Sequence, residues 1–415
     1  MRYRLSFSTA ELGRHSLQIT GSKSETNRLL ILQGLYPKMS IKGASESDDS
    51  KVLTKALSDN TVEQIDVHHA GTAMRFLTSY LAIQAGREVV LTGSERMQQR
   101  PIGVLVDALR SLGAEITYMS KEGFPPIRIT GKRLDKNQVR IQADVSSQYI
   151  SSLMLIAPAL PEGLTILLDG KVTSVPYIKM TVSLLREIGI TANFHEQTIQ
   201  IEPLAAQDME LTESVVVESD WSSASYFYSL VALSKDATIQ LQTYLENSRQ
   251  GDSALAKIYE QLGVSTSFDS DQKSIRLTKN NRQLPELLIL NLANTPDLAQ
   301  TIAVSCFGLG IACELTGLHT LKIKETDRLV ALQKELSKLG ATCEVTNDSL
   351  HLKASDSIQK EVSVDTYQDH RMAMAFAPLA LKVPICINQP EVVSKSFPSY
   401  WEDLRSLGAI IQEQR

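Results

Sequence analysis

Five stretches of the chain place apolar residues at the helical period and stop at a branched apolar residue followed by glycine. They end at Leu112-Gly113, Ile188-Gly189, Leu262-Gly263, Leu339-Gly340 and Leu407-Gly408, and the glycines are 76, 74, 77 and 68 residues apart. In the first, Ile102, Leu105, Val106, Leu109 and Leu112 share a face; in another, Leu329, Leu332, Leu336 and Leu339 do. This predicts amphipathic helices closed by a left-handed glycine cap. After four of the glycines the period falls to two. AEITYM pairs with PPIRIT, ITANFH with TIQIEP, VSTSFD with SIRLT and ATCEV with SLHLK, each across polar or turn residues. Each pair predicts a β-hairpin.

A second helix type comes before each unit and is apolar nearly all round: SETNRLLILQGL, TAMRFLTSYLAI, SSQYISSLMLIA, WSSASYFYSLVAL, DLAQTIAVSCFGL and HRMAMAFAPLAL. The copies start near residues 24, 72, 146, 221, 297 and 370, and the first unit is short and lacks its hairpin. Between the two helices runs a strand: VVLTG, LTILLDG, ATIQLQ, ACELTG or PICINQ. A helix with no polar face belongs inside a core. The expected fold is therefore α/β, with six units arranged as two domains of three. Buried helices would lie inside, sheets outside, and a cleft between the domains.

Composition narrows the function. The 415 residues are 43% hydrophobic and 21% charged, and 42 Lys and Arg stand against 47 Asp and Glu, a net charge of −5. That balance argues against nucleic-acid binding by bulk charge but leaves room for a small basic pocket. The N-terminus has no apolar core of signal-peptide length. The long uncharged stretches Leu298 to Cys313 and Ser146 to Pro161 span 16 residues each, short of the ~18 that cross a bilayer. Four cysteines without a CxxC pair suit a reducing cytoplasm and make a thiolate zinc site unexpected.

Unusual residues gather at the starts of the apolar helices: Lys23, Ser24 and Arg28; Gly71, Thr72 and Arg75; Ser146, Ser147 and Gln148; Asp297; and Asp369, His370 and Arg371. Strand-to-helix loops add Arg100, Ser174, Tyr177, Lys324, Glu325, Arg328 and Lys395. Helix starts offer free N–H groups and a positive dipole end, so this set predicts anionic ligands. The plainer alternative makes Ser24, Thr72 and Ser146 simple caps, and Arg75 and Arg328 surface ion pairs. The recurrence of polar groups in one register argues against it. In KETDR, Lys324 and Arg328 are four apart and expected on one side of a helix start, with Glu325 between them as ion-pair partner or proton carrier. GSKS lacks the P-loop spacing, and no HExxH occurs.

The motifs GSKSETNR, AGTAMR, GSERMQQRPIG, VSSQ, DWSSASYF, TPDLAQTIA, KETDR, DHRMAM and SKSFPSYW occur in this order from Gly21 to Trp401. In them the chain resembles the 5-enolpyruvylshikimate-3-phosphate synthases, a branch of the enolpyruvyl transferases. The resemblance implies two domains, each of three βαβαββ units, here residues 1–20 with 220–415 and residues 21–219. It also implies transfer of the enolpyruvyl group of phosphoenolpyruvate to the 5-hydroxyl of shikimate 3-phosphate with release of phosphate, on the route to chorismate and the aromatic amino acids. The family uses neither metal nor organic cofactor. By motif position, Lys23, Gly71, Arg100, Gln148, Arg328, Arg371 and Lys395 would hold phosphoenolpyruvate. Lys23, Ser24, Arg28, Ser146, Ser147, Gln148, Ser174, Tyr177, Asp297 and Lys324 would hold shikimate 3-phosphate. Asp297 would take the hydroxyl proton, and Glu325 would protonate the methylene carbon with Lys23 assisting. A cytoplasmic monomer without nucleic-acid or membrane partners is expected.

The chain departs from the family pattern at His69, Phe76, Thr320 and Trp221. Gly71 matches the glycine of glyphosate-sensitive members. Two other readings fare worse. A sugar-nucleotide enolpyruvyl transferase usually carries a cysteine in the loop that here reads SERMQQRPIG, where none occurs. A six-unit ring around DNA needs rows of cations on exposed helices, and these helices are apolar.

Overall fold

Alternation and helical period set the local structure, and their order along the chain sets the sheets. The computed structural model describes residues 1–205 and 214–414. They form five four-stranded sheets and one two-stranded sheet. Four of the five four-stranded sheets repeat one plan: a first strand parallel to a second, the second antiparallel to the far arm of a hairpin, and the near arm on the edge. Gln64–Asp66, Glu88–Thr92, Ile127–Thr130 and Glu115–Tyr118 follow it, as do Gln138–Gln142, Leu164–Asp169, Thr198–Ile201 and Ala192–His195. All four predicted hairpins form, and all five connecting strands are present. The two-stranded sheet pairs Ile41–Lys42 with Val215–Val216, so among the described residues the first unit has no hairpin.

The pattern reading missed the first strand of each unit. These strands are short or half-exposed, like Gln64–Asp66 and Val362–Val364, and alternation over three residues carries no signal. Two of the fold's strands also come from the N-terminus. Arg2–Phe7 completes the last unit as the antiparallel partner of Ile385–Asn388 and Ala409–Gln414. Glu11–Leu17 runs parallel to Asp236–Gln242 as a first strand.

The chain divides into two units, Met1–Gly21 with Glu218–Arg415, and Ser22–Val217, each with its own apolar core. At the centre of the first lie Trp221–Leu233, Ala299–Leu309 and His370–Phe376; at the centre of the second lie Lys23–Leu35, Gly71–Ala82 and Ser147–Ile156. Hydroxyl pairs join equivalent turns of neighbouring helices. Ser225 meets Thr301 at 3.0 Å and Ser229 meets Ser305 at 2.8 Å, each pair 76 residues apart. Gln148 and Thr72, also 76 apart, meet at 3.2 Å. Small hydroxyl residues let the helix backbones approach, and each hydroxyl can satisfy itself on a carbonyl one turn back, as Ser305 does on Thr301. The repeat visible along the chain is thus a contact in space. Among the described residues no helix is long and apolar enough to cross a membrane.

Gly163 turns the chain into the strand Leu164–Asp169 at φ +66°, and a Cβ there would stand 2.2 Å from the Ile201 carbonyl oxygen. Gly163→Ala combines a left-handed penalty with a backbone clash. It should lose about 2 kcal/mol or more of unfolding free energy in urea titration.

Candidate active site

In the unit containing both chain ends, one arginine organises the polar residues. Arg328 opens the helix Arg328–Lys338, capped by Asp327, and is 2% exposed. Its Nε donates to Asp369 at 2.6 Å, one terminal nitrogen to Asp297 at 2.8 Å and the other to Glu325 at 2.9 Å. Arg371 donates to the second Asp297 oxygen at 3.1 Å, Lys324 lies 3.5 Å from the first, and Lys395 sits 3.2 Å from Glu325. All six residues expected in this unit therefore join one network. Asp369 was noted only as part of a helix start. It is fully buried, caps the helix His370–Phe376 through the Arg371 N–H at 2.9 Å, and anchors Arg328.

One expectation needs correction. Lys324 and Arg328 do not share a helix: Lys324 ends the short helix His319–Ile323, and Arg328 begins the next. They converge because both reach Asp297, not because of helical spacing. The plainer alternative, that Arg75 and Arg328 are surface ion pairs, fails because both are buried. Arg75 is 4% exposed and donates to the carbonyls of Gly71 at 3.2 Å and Pro101 at 2.9 Å. A guanidinium excluded from water needs fixed acceptors, and the folded backbone and buried carboxylates supply them.

Charge and burial push the carboxylates apart. Burial alone would raise Asp297, but Arg371, Lys324 and Arg328 outweigh it and hold the group well below the usual range. Lys324 is lowered by burial, against the opposing pull of Asp297. At Asp252 the pull of Arg371 is outweighed. Burial, and then the Asp297 charge, lift it to about 7, although the Ser222 hydroxyl donates to it. Ser222 in turn accepts from Arg371 at 3.3 Å. Sequence reading missed Asp252 and Ser222; a lone acid after Gln-Gly carries no signal until the fold buries it beside the network.

In the unit Ser22–Val217, the expected residues form local groups. Lys23, the first residue of its helix, pairs with Asp49 at 3.2 Å, an acid that the sequence reading did not select. Ser22, not Ser24, caps that helix. Arg28 is buried and commits three donors, to Thr181 at 2.8 Å, the Ser24 carbonyl at 2.7 Å and Ser151 at 3.1 Å. Its guanidinium lies 5.5 Å from the Phe76 ring and 5.9 Å from Tyr177, and burial lowers its pKa to about 10. Ser146 does cap its helix, through the Gln148 N–H, and Ser147 is buried behind it. Ser174 stands at φ 53° before the helix Val175–Glu187 and gives it no side-chain cap bond; the helix at Gly71 also lacks one. Arg100 is 9% exposed, and its buried Nε has no hydrogen-bond partner. A Cβ on Gly71 would be 2.6 Å from the Arg100 guanidinium, so glycine is what lets this arginine lie against the helix start.

The departures from pattern settle locally. His69 meets the Ser94 hydroxyl at 2.8 Å, and Trp221 donates to Glu218 at 2.7 Å. The Thr320 hydroxyl is buried without a partner. Among the described residues no group of three or more His, Cys, Asp or Glu side chains is placed to hold a metal ion.

The profile of the EPSP synthase (3-phosphoshikimate 1-carboxyvinyltransferase) family matches residues 42–404. A 3-phosphoshikimate 1-carboxyvinyltransferase of Bacteroides fragilis is 45% identical over 98% of both chains. One from a Sulfurovum species is 34% identical over 95% of this chain and 96% of its own. An EPSP synthase structure from Acinetobacter baumannii superimposes with a TM-score of 0.77 at 19% identity, covering all of both chains. At that identity the superposition bears on fold alone.

Asp252 gives a pH test. Its folded pKa is raised from 3.8 to about 7, so folding stability is lost as pH climbs and the unfolded chain releases this proton first. Asp252→Asn removes the linkage. Relative to the parent, the variant's unfolding free energy should rise between about pH 4 and pH 7, read by urea titration at each pH.

Proposed function

The chain belongs to the EPSP synthase family and transfers the enolpyruvyl group of phosphoenolpyruvate to shikimate 3-phosphate; we propose that the residues of each polar cluster described above serve that transfer. We take the two units as its domains and read the enzyme as a cytoplasmic monomer.

The observation that carries this reading is the Arg328 network. Asp297 and Glu325 occupy donors of Arg328, Arg371, Lys324 and Lys395. Those donors match the carboxylate and phosphate of phosphoenolpyruvate, which arginine forks hold in pairs. We read the acids as placeholders. When substrate anions take the arginines and Lys395, the cations' pull on Asp297 is shared and its basicity rises. Asp297 can then accept the proton of the attacking hydroxyl. Glu325, relieved of Lys395, can carry a proton to the methylene carbon. The hydroxyl oxygen bonds to C2 as C3 gains its proton. Phosphate then leaves C2, and C3 gives up a proton to restore the double bond.

In the unit Ser22–Val217, Lys23, Gly71, Arg100 and Gln148 serve phosphoenolpyruvate, with Lys23 also at the oxygen that changes charge. Ser24, Arg28, Ser146, Ser147, Ser174 and Tyr177 serve shikimate 3-phosphate. Support comes from the uncapped helix starts at Gly71 and Val175 and from the unpartnered Arg100 Nε.

Phosphate release should require both substrates and be absent with either alone. Release with UDP-N-acetylglucosamine in place of shikimate 3-phosphate would reject the acceptor assignment. Lys23→Met should cut turnover by about 10²-fold or more while the circular dichroism spectrum is kept. Gly71→Ala should displace Arg100 and raise the KM for phosphoenolpyruvate roughly tenfold to a hundredfold; an unchanged KM would remove Arg100 from that role.

A further inference from the structure

The segment that delivers Asp369, His370 and Arg371 begins with two consecutive non-glycine residues in the left-handed region, Tyr367 at φ 52° and Gln368 at φ 57°. Such backbone is costly for residues with a Cβ and persists only where the surroundings over-determine it. The surroundings here are specific. Glu335, fully buried, accepts from the Tyr367 hydroxyl at 2.6 Å with one oxygen. Its other oxygen accepts from the Asp365 backbone N–H at 3.1 Å and from Lys338 at 2.8 Å. Lys338 also reaches the Asp365 carboxylate at 2.7 Å.

Glu335 lies on the same helix as Arg328, seven residues on, so two turns place both side chains on one face about 10 Å apart. Arg328 holds Asp369 after the turn, and Glu335 holds Asp365 and Tyr367 before and within it. We propose that Glu335 is a positioning residue for the reaction: one helix grips residues 365–371 at two points, and the Glu335 grip keeps Tyr367 and Gln368 left-handed so that Asp369 and Arg371 meet Arg328 and Asp297. This rests on the assignment of Arg371 to phosphoenolpyruvate above. Without the grip the turn relaxes toward ordinary backbone, and the Arg371 fork leaves its place.

Tyr367→Phe removes one bond of the grip and leaves Glu335 its partners Lys338 and Asp365. Its KM for phosphoenolpyruvate should rise about tenfold, the size of one lost hydrogen bond to a charged group. Its kcat should change less, and the circular dichroism spectrum should be kept. Glu335→Gln should act in the same direction and more strongly. Adding Gln368→Gly to Tyr367→Phe should recover part of the KM, because glycine takes positive φ without steric cost. A lower melting temperature with both KM values and kcat unchanged would make Glu335 a stabilising core acid only and overturn the proposal. If Glu335→Gln does not fold, Tyr367→Phe decides alone. Parent enzyme inert toward both substrates would refute the proposed function instead. In that case a crystal structure of Tyr367→Phe still decides the clamp: positive φ at 367 and 368, with Arg371 still on Asp297, overturns it.

Discussion

A helix without a polar face can do polar chemistry only at its ends. Six helices of this chain are buried on nearly every side, and their sequences leave no outward stripe to solvate. Their unmet N–H groups, their dipoles and the few charged residues they carry are concentrated at the N-terminal turns. The apolar core and the polar clusters therefore have one cause: the more completely a helix is buried, the more its start must be answered by a cap, an ion or a ligand. Asp220, Asp369 and Ser146 are answers supplied by the chain. Gly71 and Val175 begin helices without a side-chain cap bond.

The charges are not simply a lining for anions. Arg328 spends its whole fork on three carboxylates while nearly sealed from water. Leaving so buried a guanidinium bare would cost several kcal/mol, a large share of a fold's stability, so it is held by buried acids. The same economy separates the protonation states. Asp297, facing three cations, stays ionised, while Asp252, one hydroxyl away from Arg371 and facing none as closely, holds its proton up to about pH 7. Two carboxylates of one residue type acquire different chemistry from their neighbours alone.

Much of this was legible from periodicity. The amphipathic helices, their glycine caps, the four hairpins and the central strands are local patterns of two or 3.6 residues, and they recur where the pattern places them. That the first unit has no hairpin among the described residues was legible too. The charged residues could be selected because a lysine or arginine at the start of an apolar helix conflicts with its surroundings. Three-residue first strands were not legible, since their identity as strands comes from a parallel partner contributed by another stretch of chain. Nor was the use of residues 2–17 to complete two different sheets.

Side-chain partnership marks the boundary. Local order along the chain specifies which residues sit at a helix start, because capping and burial act over a few residues. It does not specify that Lys324 and Arg328 converge on Asp297 from two separate helices, that Asp49 meets Lys23, or that Glu335 reaches back to a strained turn thirty residues later. Those pairings join segments whose separation along the chain is unrelated to their distance in space. They exist only once packing has chosen the neighbours and removed the water that would otherwise screen them.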